Sequence, residues 1–474
     1  MSRIPSACDI VVIGSGPAGQ KAAVQAAKAG RSVVLVERDV GVGGSCVHHG
    51  TIPSKTLRET AVYLRGFRLR AGDHVPIEMP PELQLTSLME RKNRVIAAHE
   101  SFQSRQMQRN GIVQVHGRAS FVSPTVVEVL SVTGERTRIE ATNIFIATGS
   151  RPRTPDGIAI DHEHILDSDS ILSLGHLPKS MTVLGGGVIA CEYATIFAAL
   201  GVQITMIDKA ARPLSFLDTE ILDRFVSSFE CNEGCVYVGS AEIESVAWNG
   251  FDAVVTRLKN GWEARSDTLL CALGRVANVD GLDLAAAGLA TNARGHIPVD
   301  ADCRTAVPHI FAVGDVIGPP SLASASMEQG RRAMRVALGL PRTEGNDMIP
   351  AGIYTVPEIS SIGLDEKAAT ARGLTVVVGR ARFDELARGQ ISACTEGLLK
   401  LVVDANTQKV LGCQILGEGA TELIHLAQMA MAAGSPASTF IETVFNFPTM
   451  AEAYRVAAFD AMAQLQRRPQ RTNG

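Results

Sequence analysis

CDIVVIGSGPAGQKAAVQAAKAGRSVVLVER, residues 8–38, reads as strand, glycine turn, helix and strand. Residues 10–13 are apolar without alternation, the pattern of a parallel strand buried on both faces. Gly14, Gly16 and Gly19 follow in G-x-G-x-x-G spacing. The first glycine permits a tight turn, the second lets the backbone approach a pyrophosphate, and the third lets helix and strand pack closely. Glu37 closes the next strand 23 positions beyond Gly14, where a carboxylate can accept hydrogen bonds from ribose hydroxyls. The alternative is a glycine turn of purely structural use, and the acid at that spacing argues against it.

Working outward, SMTVLGGGVIACEYATIFAALGVQITMIDKA, residues 180–210, repeats the pattern. Gly185 and Gly187 take the first two glycine positions, Ala190 replaces the third, and Asp208 lies 23 positions beyond Gly185. The repeat interval fits two whole dinucleotide-binding domains rather than a solenoid. Asp208 favours a free ribose 2′-hydroxyl and repels a 2′-phosphate, yet Lys209 and Arg212 follow and offer positive charge to that phosphate. A solvated loop is the plain alternative for the two cations.

Residues 56–110 read as helical, with a break at AGDHVPIEMPPELQ (71–84), whose prolines forbid a continuous helix. Residues 113–146 carry short strand-like runs. Asn249-Gly250 and Asn260-Gly261 mark turns of a meander. HIFAVGDVIG then reads as a buried strand and Gly-Asp turn leading into a helix near Ser324. From about residue 346 the glycine fingerprints stop, which predicts a third kind of domain, and RRPQRTNG (467–474) reads as a frayed tail.

With 45 Lys+Arg against 49 Asp+Glu the net charge is −4, which excludes a strong basic field for nucleic acid or anionic membranes. Nine scattered cysteines, an odd number, argue against a disulfide scaffold and predict a reducing, cytoplasmic location. Neither a membrane span nor a signal peptide is expected.

GVGGSCVHHGTIPSKTLRE, residues 41–59, resembles the active-site segment of the pyridine nucleotide-disulfide oxidoreductases, G-G-x-C-x-x-x-x-C-x-P-S-K. Gly43, Gly44, Cys46, Pro53, Ser54 and Lys55 match, but position 51 is threonine. A lone thiol closes no redox disulfide. The tail FNFPTMAEAYRVAA (445–458) departs too: Phe447 stands where the disulfide-reducing members carry an acid/base histidine, while Glu452 is retained. Phenylalanine transfers no proton. Both departures are similar to those of the transhydrogenase subgroup, in which hydride passes between nicotinamide nucleotides without dithiol exchange.

The resemblance covers about residues 8–465 and implies an α/β fold: two Rossmann-like dinucleotide-binding domains plus a C-terminal α+β interface (dimerisation) domain. Its implied boundaries are 1–155 and 277–345 for FAD, 156–276 for NAD(P), and 346–474 for dimerisation. It implies FAD contacts from Gly14, Gly16, Gly19, Glu37, Cys46, Thr51, Lys55, Gly117, Thr148, Gly149, Asp315 and Ala323. NAD(P) contacts are implied for Gly185, Gly187, Ala190, Asp208, Lys209, Arg212 and Gly274. Lys55, paired with Glu192, is implied as the catalytic cation beside flavin N5, and the helix near Ser324 as a partial positive charge near N1/O2. Without the resemblance Lys55 is a surface helix lysine and Asp315 a turn aspartate.

The expected reaction is NADPH + NAD⁺ ⇌ NADP⁺ + NADH, ping-pong, in at least a homodimer. The rivals are an NADH oxidase or diaphorase, a non-catalytic FAD-binding redox sensor, and a dihydrolipoamide dehydrogenase; Thr51 and Phe447 oppose the last. No metal site is expected, because His48 and His49 are adjacent and no further ligand is suitably spaced. Cys231 and Cys235 read as a free surface pair. Cys46 reads as a retained core thiol, with sulfenate-based peroxide sensing as the alternative.

Overall fold

The computed structural model describes residues 4–71, 85–341 and 348–467, so all of the predicted break (71–84) except Ala71, and the tail beyond Arg467, lie outside the described residues. The chain forms two compact units.

The first unit comprises residues 1–56, 86–153 and 274–345. Its parallel strands run in the order Val113–His116, Val33–Glu37, Ala7–Ile13, Arg136–Ile146, with Ile310–Ala312 beside the end of the last. Burial on both faces explains why residues 10–13 show no alternation. Ile10 and Val12 pack with Phe145, Phe311 and alanines of the helix Pro17–Lys28. Val11 and Ile13 face the opposite layer with Val34, Ile144 and Phe121. Ile10, Val11 and Val12 expose no surface, and each such side chain contributes roughly 1.5–3 kcal/mol. The helix Ala323–Ala337 packs on Pro17–Lys28, and Arg118–Ser123 and Val126–Leu130 extend the sheet antiparallel.

Two glycines of the first turn are required by the protein itself. Gly14 has φ 102°, and a Cβ there would lie 2.4 Å from the Ala147 carbonyl oxygen. A Cβ on Gly19 would lie 2.0 Å from the Gly14 carbonyl oxygen, so a side chain would push the helix off the strand.

The second unit comprises residues 57–85, 154–273 and 346–474. Its parallel sheet has the order Val236–Val238, Gln203–Ile207, Ser180–Leu184, Thr268–Cys271, Ile165–Leu166. The helix Val188–Ala199 is buried at every residue from 190 to 199, and its sequence is accordingly apolar all round. The meander forms from Ile243–Trp248, Val254–Leu258 and Glu263–Ser266, turning at both Asn-Gly pairs.

After residue 346 the chain builds an antiparallel sheet in the order Ala351–Ile353, Ile359–Gly363, Val410–Leu416, Leu398–Asp404, Val376–Arg382. Its core joins Leu399, Leu401 and Ile415 to Tyr454, Ala457 and Ala461 of the helix Glu452–Arg467. This is the expected α+β arrangement.

The helix bearing Lys55 spans Thr51–Ala71 and so begins before residue 56, with Pro53 in its first turn. Proline is tolerated there because first-turn N–H groups have no intrahelical acceptor. Ser54 donates its N–H to the Gly50 carbonyl at 3.0 Å.

Candidate dinucleotide sites

In the first unit the glycine turn is fixed by Ser15, a residue that the fingerprint contains but does not single out. Glu37 Oε2 accepts from the Ser15 N–H (2.8 Å) and Oγ–H (2.6 Å), and Ser15 Oγ accepts from the Gly43 N–H (2.9 Å). Glu37 Oε1 accepts from the Asp39 N–H at 3.1 Å. Ser15 thus holds together the glycine turn, the acid that ends the second strand and the segment leading to Cys46.

Gly16 caps the helix Pro17–Lys28, and a Cβ there would meet none of the described residues within 4 Å. Among the described residues nothing requires a glycine at that position. The open approach to a helix N-terminus fits a pyrophosphate. Thr148 fits a ligand as well: its Oγ1 is buried and has no hydrogen-bond partner among the described residues. Asn278 holds the adjoining turn by donating Nδ2–H to the Thr148 carbonyl (3.0 Å) and its N–H to the Gly149 carbonyl (2.9 Å). A buried hydroxyl left unpaired costs about 1–3 kcal/mol, which a bound polar ligand would recover.

Asp315 lies in the short 3-10 turn Gly314–Ile317, and Asp315 Oδ2 accepts from Ser150 Oγ at 2.7 Å. Arg275 donates Nε–H to Ser150 Oγ (2.8 Å) and Nη2–H to the Ser150 carbonyl (2.7 Å). Ser150 and Arg275 therefore position Asp315, a link spanning 165 residues that no local pattern reveals. Ala323 opens the helix Ala323–Ala337. Gly117 has a packing explanation, because a Cβ would lie 2.6 Å from the Leu130 carbonyl oxygen.

Cys46 sits on the short helix Gly44–His48, and Thr51 and Lys55 on the first turns of Thr51–Ala71. Burial pushes the Cys46 thiol up, against the opposing hydrogen bond from Thr51 and charge of Lys55. It is a protonated thiol near neutral pH rather than a poised thiolate. Lys55 is half-buried, with Nζ 3.4 Å from Ser54 Oγ. His48 Nε2 lies 3.0 Å from the Val42 carbonyl.

In the second unit Gly187 caps the helix Val188–Ala199 and, as at Gly16, a Cβ there would meet none of the described residues within 4 Å. Ala190 is fully buried. Asp208 Oδ1 accepts from the Lys209 N–H at 2.8 Å, and Lys209 is exposed. The following loop is pinned by its backbone: Leu214 N–H donates to the Gly186 carbonyl (2.7 Å), while Ser240 N–H (3.1 Å) and Tyr237 Oη (2.9 Å) donate to the Ala210 carbonyl. Arg212 differs from the free cation that the sequence suggests. It donates Nε–H to Asp223 Oδ1 (2.5 Å) and Nη2–H to Oδ2 (3.3 Å), a pair eleven residues apart. Gly274 belongs to the first unit, where its carbonyl accepts from the Arg153 N–H at 3.0 Å.

Glu192 is buried in the second unit, and its Oε1 accepts from the Tyr354 N–H at 2.9 Å. One helical turn on, Thr195 Oγ1 accepts from the Val356 N–H at 3.0 Å, and Arg58 donates Nε–H to the Thr355 carbonyl at 3.0 Å. Phe447 is 73% exposed, and Glu452 begins the last helix.

The expected surface pair of cysteines is corrected. Cys231 is exposed at the end of the helix Thr219–Glu230, but Cys235 is buried with its thiol toward the Val202 carbonyl. Its polar neighbours in sequence hide the strand packing that covers it. A cleft of about 1490 Å³ lined by Asp218, Glu220, Asp223, Glu366 and Lys400 includes no residue of either glycine turn.

Two dinucleotide-type turns followed by an antiparallel α+β segment define the class. Residues 8–330 match the pyridine nucleotide-disulphide oxidoreductase family and residues 349–458 its dimerisation domain, and the chain belongs to this family. It is 42% identical over 459 residues to a soluble pyridine nucleotide transhydrogenase of Mycobacterium tuberculosis, covering 97% of this chain and 98% of that one. A soluble pyridine nucleotide transhydrogenase of Colwellia psychrerythraea is 43% identical over 465 residues, covering 96% and 98%. Among solved structures, the Cu(II) complex of the HOCl-induced flavoprotein disulfide reductase RclA from Escherichia coli superposes with TM-score 0.87 at 28% identity, covering 96% and 99%. Among the described residues, no helix is long and apolar enough to cross a membrane.

Proposed function

We propose that this chain is an FAD-dependent transhydrogenase that moves hydride between NADPH and NAD⁺, the two nucleotides using one site in turn. The observation that carries the reading is Thr51 where a redox dithiol needs sulfur, together with Phe447 where thiol exchange needs a proton carrier. The names of the near-full-length relatives support it. FAD, when bound, supplies the centre that accepts and returns the hydride.

The chain's own residues bind and orient. Gly14, Gly16, Gly19, Glu37, Thr148, Gly149, Asp315 and Ala323 would hold FAD in the first unit, with Cys46, Thr51 and Lys55 lining its reactive side and Gly117 supporting the fold. Lys55 supplies a positive charge at that side, and Glu192 is its proposed counter-charge. Gly185, Gly187, Ala190, Asp208, Lys209, Arg212 and Gly274 would hold the nicotinamide nucleotide. We assign 1–155 and 277–345 to FAD, 156–276 to NAD(P) and 346–474 to dimerisation, in a cytoplasmic homodimer or larger homo-oligomer.

An anaerobic titration of the yellow protein tests the reading: NADPH should bleach the flavin, and a thio analogue of NAD⁺ added next should restore the colour. Bleaching by NADH alone, with NADPH inert, would instead favour the NADH oxidase or diaphorase reading that Asp208 motivates.

Gly187 offers a separate check. Its φ of −79° suits any residue, so Gly187→Ala should fold with an unchanged melting temperature. If a pyrophosphate approaches here, KM for both nucleotides should rise about tenfold, equivalent to about 1.4 kcal/mol of binding. Unaltered KM values would remove the pyrophosphate from this turn.

A further inference from the structure

We propose that Asp223 sets the nucleotide preference of the second unit by competing with a ribose 2′-phosphate for the guanidinium of Arg212. The inference rests on the reading of residues 185–214 as the nicotinamide nucleotide site and adds a residue to it.

A single site that takes NADH and NADPH in turn has conflicting requirements. It must recognise a 2′-hydroxyl with one group and a 2′-phosphate with another, and neither contact can be obligatory. Asp208 suits the hydroxyl and repels the phosphate. A permanently available arginine would do the reverse, favouring NADPH and slowing its release. The Arg212–Asp223 pair resolves the conflict, because it neutralises the guanidinium whenever no phosphate is present.

Three observations give the pair this character. First, the loop from 208 to 214 is pinned through its backbone to Gly186, Tyr237 and Ser240, so the side chain of Arg212 can change partner without the loop refolding. Second, the pair has fork geometry, Nε and Nη2 facing the two oxygens of one carboxylate. A phosphate presents the same two-oxygen edge with more negative charge. Third, the side chains are 48% and 55% exposed, so separating them costs little desolvation and the pair is not a buried scaffold.

Competition lowers the apparent affinity for a 2′-phosphate by the fraction of Arg212 that is free, while leaving hydroxyl recognition by Asp208 untouched. Lys209, exposed one residue beyond Asp208, adds positive charge to the same loop.

The test is calorimetric titration of the FAD-loaded protein at low ionic strength with adenosine 2′,5′-bisphosphate and with 5′-AMP. Asp223→Asn should tighten the bisphosphate about fivefold and leave 5′-AMP within about twofold, the scale of an exposed bidentate ion pair. Arg212→Ala should weaken the bisphosphate about tenfold or more, and adding Asp223→Asn to it should change nothing further. If Arg212→Ala weakens the bisphosphate but Asp223→Asn has no effect, the competition is overturned and the site reading stands. If Asp223→Asn tightens the bisphosphate equally without Arg212, the effect is general charge and the proposal fails. If Arg212→Ala leaves bisphosphate binding unchanged, the reading of this loop as the 2′-phosphate site fails, and the competition with it.

Discussion

Lys400→Met will destabilise the protein by about 3–5 kcal/mol, the effect of leaving a buried charge without its counter-ion. Lys400 is 2% exposed on the strand Leu398–Asp404, and its Nζ donates to both oxygens of Asp218 at 2.8 Å and reaches Glu220 at 3.0 Å. Asp218 also caps the helix Thr219–Glu230, accepting from the N–H groups of Glu220 and Ile221. Methionine keeps the apolar stem of lysine but strands the Asp218 carboxylate in a site only 8% exposed. The second substitution separates charge from packing. Asparagine still caps a helix but carries no charge, so Lys400→Met with Asp218→Asn should recover most of the loss. Urea unfolding of the single and double variants measures both. A loss under about 1 kcal/mol in the single variant, or no recovery in the double, would show that the ion pair is not what holds this strand to this helix.

The same cluster has a pH signature. Burial alone would raise the Glu220 carboxyl, but Arg380 and Lys400 outweigh it and hold the group below its ordinary value of 4.5. A depressed folded-state pKa stabilises the fold above the unfolded value, and the contribution is lost as pH falls through the folded one. Stability should therefore decline as pH drops below about 4.5, and the decline should be shallower in Glu220→Gln.

The architecture is legible in the sequence because its decisive residues obey local rules. Gly14 and Gly19 are dictated by a positive φ and a backbone contact close to them in the fold. Residues 10–13 lack alternation because both faces are buried, and the Asn-Gly turns fix the meander. The supporting contacts are not legible, since they join side chains distant in sequence. Ser150 and Arg275 reach Asp315 across the first unit, and Gln20 Nε2 donates to Gln103 Oε1 across 83 positions. Arg212 looks free in the sequence because its partner lies eleven residues on, and nothing local marks Asp218, whose cation is 182 residues away. Sequence periodicity reports which element a residue occupies; it does not report which polar group meets it from another element.

Lys55→Ala should slow bleaching of the bound flavin by NADPH about 100-fold, while Cys46→Ser should stay within about threefold of the parent protein. The contrast follows from the chemistry available at each position. Removing one fixed positive group that faces developing negative charge typically costs two to three orders of magnitude in rate. The Cys46 thiol, by contrast, is pushed up by burial and has threonine, not a second cysteine, at position 51, so it is neither a ready nucleophile nor half of a disulfide. Lys55→Arg is the control for packing: it keeps the charge on a bulkier head and should restore part of the rate. Anaerobic stopped-flow of the FAD-loaded variants reads all three. Near-complete loss of activity in Cys46→Ser, with FAD still bound, would mean that electrons pass through the thiol after all. Equal loss in Lys55→Ala and Lys55→Arg would mean that the lysine acts through its shape. Only the ordering Cys46→Ser, then Lys55→Arg, then Lys55→Ala, from fastest to slowest, fits hydride transfer that needs a cation beside the flavin and no sulfur.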